Sequence, residues 1–211
     1  MNEVQGSDTQ SDKPLRLLSE VPNKVYHRLI VRYPHQTDRD YALFYHEAAS
    51  RLASTYTGKP IDDTILVPFL MLYRHAFELE LKNLIRFLSS IRYRYYEPGN
   101  WELRREAVAE KLQHKLGHNL AKLFNELLRH YDALSLPESF PDSVKKLILV
   151  LHEADGRGTA FRYAGDLPQS QDYANFPDLV SMLDDEFTML GAVEDWIEAM
   201  YEAMPAPEEI Y

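Results

Sequence analysis

Cysteine is absent from the chain, which excludes disulfides, thiolate metal sites and cysteine nucleophiles. Glycine is scarce, with 8 in 211 residues. None of it builds a Gly-rich phosphate loop or a GxSxG elbow, and no HExxH pattern occurs. No apolar run reaches the roughly 18 residues that a membrane span needs, and the opening 14 residues are polar, unlike a secretory signal. A cytoplasmic protein without a membrane partner is expected. No cofactor pattern and no metal set stand out.

Basic side chains are also missing from one region. Beyond Arg162 there is no Lys, Arg or His, and residues 163–211 carry 12 carboxylates. The first 162 residues hold 23 basic and 21 acidic groups, so the net charge of −10 originates in the C-terminal quarter. This division excludes a molecule-wide field for nucleic acid and leaves room for a local basic patch.

What is present points to helices. The apolar share of 45% and charged share of 27% suit a soluble globular chain, and the length suits one domain. Residues 1–20 lack apolar periodicity and read as a disordered tail, residues 21–204 as one helical domain, and 205–211 as a second tail. A short helix is expected over 22–33, broken by Pro34. Thr37 or Asp38 then caps a helix to about 56, with Tyr41, Phe44, Tyr45, Ala48, Leu52, Ala53 and Tyr56 facing inward. Asp62 and Asp63 open the longest helix, apolar around most of its circumference and hence central. It is expected to end or bend near Ser89 and Ser90. Asn100 caps a helix to about 116, closed by Gly117, and Asn119 starts another to about 134. Asp142 and Ser143 cap a helix over 143–154, with Val144, Leu147, Ile148 and Leu151 inward. Residues 156–177 read as an irregular loop, or as a short hairpin pairing 160–163 with 171–175. The last helix spans 179–204. Its apolar set runs from Leu179 through Met182, Leu183, Phe187 and Leu190 to Met200, and its carboxylates share the outer face. The fold class is therefore all-α, a bundle of about six to seven helices with one irregular loop or short hairpin.

Three constellations carry chemistry. Arg74, His75, Glu78 and Lys82 interrupt the most apolar helix, with Arg74–Glu78 and Glu78–Lys82 each four apart on one face. They read either as an ion-paired ladder or as the lining of a pocket, since a charge buried there must be paired. Around residues 86–105, Arg86, Arg92, Arg94, Arg104 and Arg105 interleave with Tyr93, Tyr95, Tyr96 and Trp101. Arginines contact phosphates and aromatics stack on bases, which makes Arg92, Arg94, Tyr95, Arg104 and Arg105 the nucleic-acid candidates. The alternative is that the rings pack and the arginines snorkel. His152, Glu153, Asp155, Arg157 and Arg162 crowd a loop where acids and bases lie within reach of each other. His114 and His118 have metal-ligand spacing, but Gly117 breaks the helix between them.

The segments LYRHAFELELKNLI, GHNLAKLFNEL and HEADGRGTAFRYAGD, in that order, resemble HEPN-type all-α proteins over roughly residues 38–200. These are helical domains of bacterial defence, toxin and stress systems. The resemblance implies a helical-bundle core and a homodimer. In ribonuclease members, an Arg and a His with four to six residues between them near the start of a late helix form a composite active site. Neither 144–155 nor 179–204 contains that pair. Arg28–His35 and Arg39–His46 have the spacing but lie on early elements.

The leading expectation is therefore a non-catalytic HEPN-like binding or regulatory protein, a homodimer with an RNA or protein partner. A divergent metal-independent ribonuclease is the second expectation, with His75, His118 or His152 as base and Arg74 or Arg162 as cation. A small-molecule sensor is the third. The binding set in common is Arg74, His75, Glu78, Lys82, His118, Arg162 and Tyr163.

Overall fold

Thr37 caps the first helix among the described residues. Its hydroxyl accepts from the Asp40 N–H, and the Asp40 carboxylate accepts from the Thr37 N–H at 2.7 Å. This capping box opens helix α1 (Asp38–Ala53). The structure, a computed structural model, describes residues 36–162 and 173–202. The described residues fall in one compact unit of six α-helices without a strand, an all-α bundle. The expected helix over 22–33, both expected tails and the second half of the hairpin lie outside the described residues. Of the hairpin's first half, 160–162 form a turn rather than a strand.

Helix α2 (Asp63–Ile91) is the axis of the bundle. Its 29 residues extend about 43 Å at the usual rise. Pro68 lies in an early turn and does not end the helix. The helix ends close to the expected place, one residue past Ser90. Both hydroxyls bond back to their own helix, Ser89 to the Ile85 carbonyl and Ser90 to the Phe87 carbonyl, and α2 runs to Ile91. One wider π turn, Arg92–Tyr96, then ends it.

The next segment departs from expectation. Asn100 does cap, accepting from the Glu102 N–H at 3.1 Å, but the turn it caps is the tight Trp101–Leu103. Arg104 is extended, and α3 (Arg105–Glu110) starts after it, widening into a second π turn at Lys111–Leu116. Gly117 closes it with φ 59°, a conformation that suits glycine. Asn119 caps α4 (Leu120–Ala133) through the Lys122 N–H. Helix α5 (Asp142–Ala154) follows Pro141, with Asp142 as its first residue rather than its cap. Helix α6 (Phe176–Glu202) begins at Phe176, three residues before the expected start.

The core follows from these elements. Phe69, Tyr73, Phe77, Leu81, Leu84 and Leu88 of α2 are buried among α1, α4 and α6. Phe69 meets Phe176 edge-on at 4.9 Å and Phe77 meets Phe187 at 5.4 Å, which ties α6 to α2. On α1 the buried face differs from the expected one. Ala42 and Ala49 are the fully buried residues, while Phe44 and Ala48 are exposed. Small side chains there let α1 lie close on α2, and a phenyl ring in that position would hold the helices apart. Met182 is likewise 44% exposed on α6. Among the described residues, no helix is long and apolar enough to cross a membrane.

Candidate functional site

Glu78 lies at the centre of the bundle with no exposed surface. One oxygen accepts from Lys82 Nζ at 2.7 Å and lies 2.7 Å from His118 Nδ1. The other accepts from Arg74 Nη1 at 3.2 Å, with His75 Nδ1 at 3.9 Å. Burial works against the charge, but the His75 and His118 imidazoles and the Lys82 ammonium outweigh it. Together they hold the Glu78 carboxyl below the usual carboxylate range.

Arg74, 2% exposed, is held from three sides. Its Nη2 donates to the His118 carbonyl at 2.7 Å, and its Nε reaches the Asp155 carboxylate at 3.0 Å. The other Asp155 oxygen accepts from the Thr159 and Ala160 N–H groups at 2.7 and 3.0 Å, which folds the loop after α5 over the guanidinium. Gly158 closes that lid with φ 76°, and a Cβ there would stand 3.0 Å from Arg74 Nη2. The geometry supports the ladder reading for Arg74, Glu78 and Lys82: Arg74 and Glu78 are buried and paired, and Lys82 reaches Glu78 from a partly exposed position, whereas His75 Nδ1 has no hydrogen-bond partner among the described residues.

The remaining candidates separate. His118 joins the ladder through Nδ1 and leaves its ring 61% exposed. His75 packs edge-on against Tyr45 at 4.4 Å. His152 is half-buried against Gly156. Arg162 is exposed and forms no ion pair with a described residue. Tyr163 lies outside the described residues. Cavities of about 460, 480 and 800 Å³ have walls other than the Arg74–Lys82 face.

The arginine–aromatic segment divides as well. Arg92 is buried, its Nε donating to Glu97 at 2.9 Å and its Nη1 lying 3.0 Å from His130 Nδ1, so it is not a free phosphate contact. Arg94 stacks on Tyr95, 5.2 Å from the ring, and Tyr95 packs on Tyr201. Arg104 and Arg105 are exposed and line the 460 Å³ cavity together with Arg86.

Two charged centres were not read from the sequence. His130 is buried between Arg92 and Glu126, whose carboxylate also takes Lys111 and Arg129. Burial and the two guanidiniums push the His130 imidazole below its ordinary value, although Glu126 opposes this. The i, i+4 spacing of Glu126 and His130 on α4 was the available signal. The second centre is Glu80, 2% exposed, with no hydrogen-bond partner for either oxygen among the described residues. It faces Glu194 and Asp195 of α6 and Arg39 of α1. Burial and the Glu194 charge push its carboxyl up to about 7, against the pull of Arg39. Glu194 itself accepts from Asn83 Nδ2 at 2.6 Å and lies 3.5 Å from Arg39.

The C-terminal carboxylates accordingly do not share one outer face. Asp184 lies 2.6 Å from His46 Nε2 and accepts from the Tyr73 hydroxyl at 3.2 Å. Glu194 is buried and Asp195 pairs with Arg39 at 2.6 Å. These side chains bind α6 to α1 and α2, whereas Asp185, Glu198 and Glu202 face solvent.

No family model, curated protein or solved structure matches the chain.

Proposed function

We propose that the protein is a non-catalytic, HEPN-like helical binding or regulatory protein, acting as a homodimer in bacterial defence or stress response. The observation that carries this reading is the paired, buried core of the ladder, Arg74 with Glu78. A catalytic cation must be able to meet substrate, yet Arg74 has all its bonds inside the protein. Arg162, the second cation considered, is exposed and has no carboxylate partner among the described residues. The order of the three sequence segments supports the family, and the absence of an Arg–His pair on a late helix supports action by binding.

One observation favours the ribonuclease reading. The buried Glu78 carboxylate orients His118 through Nδ1, and the ring is otherwise exposed, which is how a carboxylate prepares an imidazole as general base. Incubating purified protein with mixed RNA in the presence of chelator separates the two. The expected result is RNA as intact as in the protein-free control. Cleavage abolished by His118→Ala, His75→Ala or Arg162→Ala would establish the enzyme and overturn the binding reading. Light scattering tests the dimer: about twice 24.6 kDa is expected, and a monomer mass at every concentration refutes that part.

A further inference from the structure

The cavity of about 460 Å³ lies where the C-terminal end of α2 meets α3. Its walls include Leu103, Val108 and the Tyr93 ring, and its rim carries Arg86, Arg104 and Arg105. Like charges do not gather without cause, because each raises the cost of the others. Arg86 shows that cost: partial burial and the Arg105 guanidinium pull it below its ordinary pKa. Asp38 pairs with Arg86, but Arg104 and Arg105 form neither an ion pair nor a side-chain hydrogen bond with any described residue. At least two guanidiniums thus face one cavity with their donors unspent.

We propose that this cavity binds a small molecule carrying a single phosphate on an apolar or aromatic body. Guanidinium forks match phosphate oxygens in paired hydrogen bonds, and the two unspent ones, with the Arg86 charge on the same cavity, suit a phosphate. The body has its own partners in Leu103, Val108 and Tyr93. The volume falls within the range of about 300–1,000 Å³ typical of small-ligand sites. Glu106 on the same rim disfavours a second phosphate and accepts from a hydroxyl or amine of the ligand.

A polyanion such as RNA fits less well. Nucleic acid needs a track of cations along its backbone. Here Arg92 is buried on Glu97 and His130, and Arg94 is laid on Tyr95. Arg92 is therefore lost to such a track, and the cations with unspent donors at this cavity are Arg104 and Arg105. The proposal is independent of the ribonuclease question, since none of its residues belongs to the Glu78 ladder.

The test is an NMR titration of the full chain, following the arginine Nε–H signals, with phenyl phosphate, inorganic phosphate and a short single-stranded RNA. Saturable shifts of the Arg86, Arg104 and Arg105 signals with phenyl phosphate are expected, at least about tenfold tighter than with inorganic phosphate. Arg105→Ala and Arg104→Ala, both surface changes, should each weaken binding about tenfold or more, whereas Arg51→Ala, on the exposed end of α1, should leave it unchanged. Absence of saturation by about 10 mM phenyl phosphate overturns the proposal. Equal affinity for both phosphate probes, or equal weakening by Arg51→Ala, overturns it too. RNA binding tighter than phenyl phosphate, with the Arg94 and Arg129 signals moving as well, replaces it with a nucleic-acid surface.

Discussion

Replacing Glu80 by glutamine should stabilise the protein in neutral and mildly alkaline solution and do little in acid. In the folded chain this carboxyl is buried, the charges of Glu194 and Asp195 and the opposing charge of Arg39 act on it, and it is pushed up to about 7. In the unfolded chain it titrates near the ordinary 4.5. Between those values the native state keeps a proton that the unfolded state has lost, so stability falls as pH rises through that window. Full traverse of the window corresponds to about 3 kcal/mol, because each pKa unit is worth about 1.4 kcal/mol. Glu80 is 2% exposed, so solvent screening takes little from this. Glutamine keeps the shape and removes the titration. The variant should therefore unfold at higher urea near pH 8, by about 2–3 kcal/mol, and match the wild type near pH 5. Urea denaturation followed by circular dichroism across that range measures it. His130 does not imitate the effect: its lowered pKa makes stability rise with pH, below its ordinary 6.5, and it titrates equally in both proteins. Parallel pH profiles for wild type and variant would refute the account of Glu80.

Other consequences follow from the same contacts. Glu78→Ala leaves Arg74 and Lys82 without their shared anion and should cost about 2–5 kcal/mol, against a change within about 0.5 kcal/mol for a surface control such as Glu47→Ala, both read by denaturant midpoint. Gly158→Ala forces a Cβ against the Arg74 guanidinium at positive φ and should cost about 1–3 kcal/mol by the same assay. An unchanged midpoint would show that the loop yields. The depressed pKa values of Glu78 and Glu126 predict acid sensitivity. Their stabilisation is complete above the ordinary 4.5 and is lost as pH falls below it. A flat unfolding midpoint from about pH 5 to pH 3 would contradict that. Asp184→Asn removes the charge beside His46 and weakens the joint between α6 and α1. A thermal shift no larger than that of the solvent-facing Glu198→Gln would show that the joint carries nothing.

The elements of this protein are written locally. The Thr37 capping box, the Asn119 cap, the left-handed Gly117 and the three- and four-residue periodicity of α4 and α5 each act within a few residues, so an all-α chain is evident before any folding. Burial of Glu78 was equally evident, because a carboxylate in the middle of an apolar helix has nowhere exposed to point, and its partners Arg74 and Lys82 lie one turn away. Partners distant in sequence were not written in that way. Asp155 closes over Arg74, Glu194 comes to face Glu80, and His130 takes up Arg92, each across 38 residues or more. Those meetings depend on which helix faces which, and spacing along one helix carries no information about the face of another. The inward turn of Ala42 and Ala49 in place of Phe44 has the same origin: periodicity admits either stripe, and only the closeness of α1 to α2 selects the smaller one. The arginine segment read as a single basic patch divided for that reason too. Packing drew Arg92 into the core and left Arg104 and Arg105 at the mouth of a cavity that exists only once α2 and α3 have come together.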